Sequence, residues 1–201
     1  MSSKLRFVFG NMGSSKSLRL LAMAHNFEEK GIDFVILKPS IDNRDGEDIV
    51  KSRAGLERKC IGIDDTFDIF NYIREYNSML LLSGNHLKWI LIDECQFLTE
   101  KQVDELSDIV DYLDIDVMCY GLRTDFNTKL FPASKRLFEI ADEFEEIKSY
   151  CSCGENKTLV NSRISEDGEI STNGEQILIG GDDIYKSICR KCWKKKIKQK
   201  K

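Results

Sequence analysis

The stretch FVFGNMGSSKSLRLL (7–21) constrains this chain more than any other, because an apolar run, a loop of small residues and the start of a helical pattern follow one another without a break. The apolar residues ending at Gly10 read as a buried strand. From Gly10 to Ser17 the sequence matches G-x-x-x-x-G-K-[ST], except that Ser15 stands where the second glycine would be. A strand, a tight loop and a helix N-terminus in this order make a cradle for phosphate. Backbone N–H groups of Gly10, Asn11, Met12, Gly13, Ser14 and Ser15 would hold the oxygens. Lys16 would reach the β- and γ-phosphates, and the Ser17 hydroxyl would join a magnesium shell. Taken alone, the stretch also reads as an ordinary strand–loop–helix turn with an exposed Lys16.

Strand-like and helix-like runs alternate through the first 150 residues. Residues 5–10, 34–38, 89–92 and 117–121 are short and apolar, with Pro39 opening a loop after the second. Residues 17–30 place Leu18, Leu21, Ala22 and Phe27 at helical spacing and stop at Gly31; 68–82 and 99–113 are the other helical stretches. This alternation predicts an α/β fold of the P-loop, recA-like kind: a mostly parallel sheet with helices on both faces. Ligands in such sheets bind beyond the carboxyl ends of the strands. There the sequence offers KWILIDECQFL (88–98), which sets Asp93 and Glu94 just past an apolar strand. A first carboxylate in that position holds the magnesium shell, and a second can orient or deprotonate a nucleophile. An acidic pair at a surface strand end is the plainer reading; beside a phosphate loop, the functional one is favoured.

With 201 residues and 41% hydrophobic content, the chain suits one compact domain, with or without a small appendage. A formal charge of −4 gives no electrostatic argument for a nucleic-acid partner. No run approaches the ~18 apolar residues of a membrane span, and residues 1–6 lack a signal peptide's apolar stretch. A soluble, cytoplasmic protein without membrane contact is therefore expected.

Composition changes at Tyr150. Cys60, Cys95 and Cys119 are scattered singly, whereas YCSCGENK and ICRKCW bring Cys151, Cys153, Cys189 and Cys192 into two close pairs. In an intracellular chain such pairs point to a metal more than to disulfides. Four thiolates suit a closed tetrahedral zinc site that shapes a loop and leaves no position for substrate; four reduced structural cysteines are the alternative. The expected division is a P-loop ATP-binding domain at 1–149, a small zinc-binding domain at 150–193 without a helix-length apolar pattern, and a basic tail at 194–201. Six lysines and no acid make that tail read as a solvated, frayed end, or as an accessory contact for a polyanion.

From about residue 5 to 193 the chain resembles the type II thymidine kinases, in five ordered segments: GNMGSSKS, LKPSIDNRDGEDIVKSRAGL, LIDECQFL, CYGLRTDFNTKLFPASKRLFEIAD and GEQILIGGDDIYKSICRKCW. Likeness to the bacterial and bacteriophage branch is strongest in DECQFL and YGLRTDF. The resemblance implies transfer of the ATP γ-phosphoryl group to the 5′-hydroxyl of thymidine or deoxyuridine. It implies Glu94 as general base, Asp93 in the magnesium shell, Gln96 near metal and phosphates, and Arg53 beside the phosphates. Leu122, Phe126 and Phe131 match the loop lining the base, though as apolar residues they would also serve to plug a loop onto the core. Segment 177–185 resembles a lasso that closes over the nucleoside, with Ile179 as an apolar contact, Gly180 and Gly181 for backbone freedom, and Tyr185 on the sugar. The zinc site would pin both ends of the lasso domain. The resemblance also implies a homotetramer and feedback inhibition by thymidine triphosphate.

Two departures stand out. Cys192 takes a place where near relatives often have histidine, an equivalent zinc ligand. Ser15 replaces a glycine that the family usually keeps, and either Ser15 is strained or Gly13 absorbs the unusual torsion. The competing functions are a P-loop ATPase acting on nucleic acid and a catalytically weak nucleotide-binding relative.

Overall fold

The alternating pattern is realised in the computed structural model, which describes residues 2–42, 46, 48–165, 168–181 and 184–198. Residues 182 and 183 of the expected lasso, and the last three residues of the tail, lie outside that set. In chain order the elements are β1 (Leu5–Gly10), α1 (Lys16–Glu29), β2 (Phe34–Pro39), β3 (Ile49–Lys51), β4 (Glu57–Lys59) and β5 (Ile61–Ile63). Then follow α2 (Ile69–Leu82), β6 (Trp89–Ile92), α3 (Glu100–Leu113), β7 (Asp116–Gly121), α4 (Pro132–Ile140) and β8 (Glu143–Ile147). The chain closes with β9 (Val160–Arg163), β10 (Tyr185–Ile188) and α5 (Arg190–Lys198).

Six strands form one sheet in the order β5-β2-β6-β7-β1-β8, and every pairing in it is parallel. Side chains alternate across a strand, so successive apolar residues feed opposite faces. Val8, Ile36, Leu91 and Tyr120 pack with Leu20, Leu21, Ala24 and Phe27 of α1. Their neighbours Phe7, Val35, Leu37, Ile90, Ile92 and Cys119 pack with α2, α3 and α4 on the other side. Both faces are covered, which is why these strands read as continuous apolar runs. Strand β7 lies between β1 and β6, so the phosphate loop and the acidic pair emerge two strands apart at the same end of the sheet.

Helices α2 and α3 start where a side chain caps them. Asp68 accepts from Asn71 N–H at 2.9 Å at the head of α2. Thr99 accepts from Gln102 N–H at 3.1 Å, while Gln102 Oε1 accepts from Thr99 N–H at 3.0 Å, a reciprocal capping box. Several elements had no clear signal in the sequence, α4 and β8 among them. Helix α4 begins on Pro132 in its first turn, a position suited to a residue without an N–H. Strand β8 is EFEEI, too acidic to read as a strand, but it is a sheet edge and its acids meet cations from neighbouring elements. Glu143 pairs with Lys4 and with Arg6, and Glu145 with Arg19.

Beyond Tyr150, β9 and β10 form an antiparallel hairpin. A separate apolar cluster of Cys151, Ile170, Ile188 and Cys189 is joined by Ile164, Cys192, Trp193 and Ile197. This overturns one expectation: the chain is not frayed from 194, because α5 continues through Lys198. Cys192, Trp193 and Ile197 hold that helix to the cluster, and its lysines are exposed. The helix escaped notice because its apolar positions are few among many cations. No helix among the described residues is long and apolar enough to cross a membrane.

Candidate active site

The loop after β1 is shaped by close approach. A Cβ on Gly10 would run into Ser14 Oγ and sit 2.8 Å from the Ile147 carbonyl, so only glycine fits there. Ser14 N–H donates to Asn11 O at 3.1 Å, closing a turn, and Lys16 Nζ donates to the same carbonyl at 3.0 Å. Gly13 has φ 74°, and Ser15 has φ 66°, ψ 29°. Ser15 therefore does adopt the left-handed conformation that glycine accepts freely, and Gly13 does so as well. Asn11 Nδ2 and Ser14 Oγ are buried without a hydrogen-bond partner. An unmet buried polar group costs about 1–3 kcal/mol, a cost that binding sites tolerate because a ligand can supply the missing partner.

Asp93 is buried at the end of β6, where its Oδ2 accepts from Ser17 Oγ at 2.9 Å and its Oδ1 has no partner. Burial first, and then the neighbouring Glu94 charge, push its carboxyl up to about 7 against the opposing pull of Ser17 and Lys16. An unmet carboxylate oxygen beside a hydroxyl is a hard-oxygen donor set of the kind magnesium takes, so these two residues fit the cation that the loop implies.

Glu94 sits in the left-handed region, at φ 50°, ψ 39°. Such backbone strain, on the order of 1–3 kcal/mol, persists where the surroundings over-determine it, commonly at functional sites. Gln96 is buried beside it. Its Nε2 donates to Glu94 Oε2 at 2.7 Å, and its Oε1 accepts from Leu122 N–H at 2.9 Å. The Leu122 amide thus decides which end of the Gln96 side chain faces Glu94. Gly121 makes room for this arrangement: a Cβ there would lie 2.5 Å from Cys95 Sγ and 2.8 Å from Gln96 Oε1.

Two clefts meet at this point. One, of about 1100 Å³, is lined by Gly13, Ser15, Lys16, Ser17 and Asp93 together with Lys38, Lys51 and Arg53. The other, of about 480 Å³, is lined by Gln96, Leu122, Phe126, Phe131, Ile179, Gly180 and Tyr185. Met12 and Glu94 line both. Gln96 thus lies on the apolar cleft and does not line the phosphate-loop cleft. Gly181 lines neither; its carbonyl accepts from Tyr185 N–H at 2.9 Å and shapes the turn. Gly10, Asn11 and Ser14 also line neither cleft and lie in the fabric of the loop.

The four cysteines of the two close pairs bring their sulfurs within 4.8 Å of one another, with Cys153 Sγ and Cys189 Sγ 3.9 Å apart. Four thiolates at about 2.3 Å from a tetrahedral zinc lie roughly 3.8 Å from each other, so the cluster has the size for that ion. Burial pushes the Cys151 thiol up, but backbone N–H groups of Cys153 and Cys189 and the facing thiols outweigh it and hold it down to about 6. That favours the thiolate that a metal needs. By contrast, Cys95 is pushed well up by burial and by Cys119, which suits an inert core thiol.

Sequence reasoning passed over several residues here. The Arg163 guanidinium lies 3.9 Å from the Phe126 ring centre and donates to Tyr185 Oη at 2.8 and 3.2 Å. Tyr185 Oη in turn donates to the Leu178 carbonyl at 2.9 Å. Gln176 Nε2 donates to Asp125 Oδ2 at 2.9 Å, tying segment 176–180 to the loop that carries Phe126. Asn161 lines the apolar cleft and accepts from Met12 N–H at 2.9 Å. Arg163 and Asn161 lie in no quoted motif, and Gln176 lies in one without a role of its own, so their partners reveal them.

A protein-family model described as thymidine kinase matches residues 3–193. A thymidine kinase of Rhodopirellula baltica is 40% identical over 198 residues, covering 98% of this chain and 91% of its own. The thymidine kinase of Enterobacteria phage T4 is 42% identical, with 95% of each chain covered. That of Mannheimia succiniciproducens is 41% identical, with 96% of each covered.

Proposed function

This chain belongs to the thymidine kinase family, and on that premise we propose that it transfers the γ-phosphoryl group of ATP to the 5′-hydroxyl of thymidine, giving dTMP for DNA precursor salvage, and to that of deoxyuridine, giving dUMP. One observation carries the assignment of sites: Glu94 stands where the phosphate-loop cleft and the apolar cleft meet. ATP places its phosphates against Gly10–Ser17, and the nucleoside takes the apolar cleft between Phe126, Leu122, Phe131 and the lasso residues Ile179, Gly180 and Tyr185, with Gly181 shaping the turn beside them. In this arrangement Glu94 accepts the proton of the 5′-hydroxyl as that oxygen attacks the γ-phosphorus, and the bond from the γ-phosphorus to the β–γ bridging oxygen breaks to release ADP. Gln96 acts on the same carboxylate, holding Glu94 at the junction through its 2.7 Å bond. Lys16 and the loop amides meet charge on the transferring group. Magnesium held by Ser17 and Asp93 would neutralise the β- and γ-phosphate oxygens. Zinc on Cys151, Cys153, Cys189 and Cys192 would be structural, since four protein ligands leave no open position.

The same reading divides the chain into a kinase domain at 1–149, a zinc-bearing lasso domain at 150–193 and a basic tail, the last boundary falling inside α5. It also carries a cytoplasmic homotetramer inhibited by dTTP, for which family membership is the support.

The test is a nucleoside panel with ATP and magnesium. Thymidine and deoxyuridine should release ADP, deoxycytidine and purine nucleosides very little, and added DNA should not stimulate. Preferred turnover of deoxyadenosine or deoxycytidine would sink the substrate assignment, and DNA-stimulated ATP hydrolysis would favour a nucleic-acid motor.

Ser15 supplies a second expectation. A left-handed residue with a side chain costs about 1–2 kcal/mol, from which glycine's added unfolded-chain freedom subtracts roughly 0.4–1 kcal/mol. Ser15→Gly should therefore raise thermal stability slightly and tighten ATP by at most about tenfold, ~1.4 kcal/mol. Thymidine affinity should hardly move. Weaker ATP binding in a calorimetric titration would show instead that the serine is a working ligand.

A further inference from the structure

The geometry points to Ser187 and Asn161 as positioning residues that hold the phosphate loop in place from the cysteine-anchored hairpin, so that ATP affinity depends on a part of the chain far from the loop. The inference builds on the two-cleft reading above. The two residues face each other across the β9–β10 ladder, in register. Ser187 Oγ donates to the Met12 carbonyl at 2.8 Å, and Asn161 Oδ1 accepts from the Met12 N–H at 2.9 Å. Both polar groups of one peptide residue at the crown of the loop are therefore taken by one hairpin. The Met12 N–H requires an acceptor, so it also fixes the Asn161 amide with its oxygen toward the loop. Ser187 Oγ lies 3.1 Å from that same oxygen, and with one hydrogen to give, the hydroxyl is shared between the two acceptors.

On its other side the crown is held by Lys16, through the Asn11 carbonyl. Met12 therefore lies between a fastening inside the loop and one from the hairpin, and it lines both clefts. The fastening is buried at Asn161, which is 3% exposed. Two residues beyond Ser187 is Cys189, one of the four clustered thiols. The hairpin's position is set by that cluster, and the fastening passes the position on to the loop. A loop whose crown wanders must be ordered when phosphates arrive, and that ordering cost subtracts from affinity.

Ser187 lines neither cleft, so Ser187→Ala removes the fastening without removing a ligand contact. The experiment uses the full chain, loaded with zinc, and measures binding of a non-hydrolysable ATP analogue with magnesium by calorimetry, then KM for ATP and for thymidine. A neutral hydrogen bond is worth about 0.5–1.5 kcal/mol, so Ser187→Ala should weaken the analogue roughly 2–10-fold and raise KM for ATP alike. KM for thymidine and the zinc content should hold, and Ser187→Thr, which keeps the hydroxyl, should restore wild-type affinity. Asn161→Ala should weaken the analogue as well, and it decides the matter if Ser187→Ala does not fold. The double variant should lose less than the product of the single losses, because both act on one residue. Analogue binding at wild-type strength in Ser187→Ala, or an equal loss in Ser187→Thr, would overturn the inference. Analogue binding is read without turnover, so a wild-type protein that binds the analogue but phosphorylates no nucleoside would refute the kinase reading and leave this test standing.

Discussion

Glu94→Gln should bind ATP and thymidine nearly as the wild type does and turn over about 10²–10⁴-fold more slowly, the usual cost of losing a positioned general base. The substitution keeps size and hydrogen-bonding reach while removing the proton acceptor. Its neighbours are set by the fold: Gln96 is held by the Leu122 amide, and Gly121 clears the space for both. The strained backbone at residue 94 remains, since glutamine adopts it no more easily than glutamate. Single-turnover kinetics with saturating substrates isolates the chemical step. A rate within a few-fold of wild type would mean that another group takes the proton.

Loss of the metal should be the other large effect. Purified without chelator, the protein should carry one zinc per chain by elemental analysis, and Cys189→Ser or Cys153→Ser should release it. Structural zinc contributes about 10–16 kcal/mol of apparent binding energy in small zinc-folded peptides, and the cluster here rests on few other apolar contacts: Ile170, Ile188 and the partly buried residues around them. The β9–β10 hairpin and α5 should lose their anchorage. Thymidine affinity should then fall by roughly 2–30-fold, the equivalent of a lost cation–π contact of about 0.5–2 kcal/mol, because Arg163 and Tyr185 on that hairpin buttress Phe126. ATP affinity should fall too, though less, since the hairpin reaches the phosphate loop through the Met12 fastening. Absence of stoichiometric metal would remove the zinc assignment. An unchanged thymidine KM in metal-free protein would separate the cluster from the nucleoside cleft.

The parts legible in the sequence were those whose meaning is local. Burial on both faces makes β1, β2, β6 and β7 read as apolar runs, and capping at Asp68 and Thr99 marks helix starts by side chains within three residues. Ser15 shows the limit of local reading. Its replacement of a glycine was visible, but not whether Ser15 or Gly13 would take the left-handed torsion, and both do. Strand β8 and helix α5 were hidden because their residue types argue against them, acids in a strand and lysines in a helix, until ion pairs with Lys4, Arg6 and Arg19 and packing onto the cysteine cluster outweigh that preference.

By itself the sequence determined the α/β class, the phosphate-loop pattern at Gly10–Ser17, the acidic pair at a strand end and the grouping of four cysteines, because each is set by spacing along a few residues. Only the tertiary structure decided how these meet. Met12 is fastened by residues 149 and 175 positions away, and Gln96 is oriented by an amide 26 positions away. Such pairings have no periodicity to betray them. The Gln96 pairing exists because a parallel sheet brings its loops to one end, and the Met12 pairings because the β9–β10 hairpin packs against the phosphate loop; in each, a backbone N–H or carbonyl left without a partner would cost more than ordering the side chain that satisfies it.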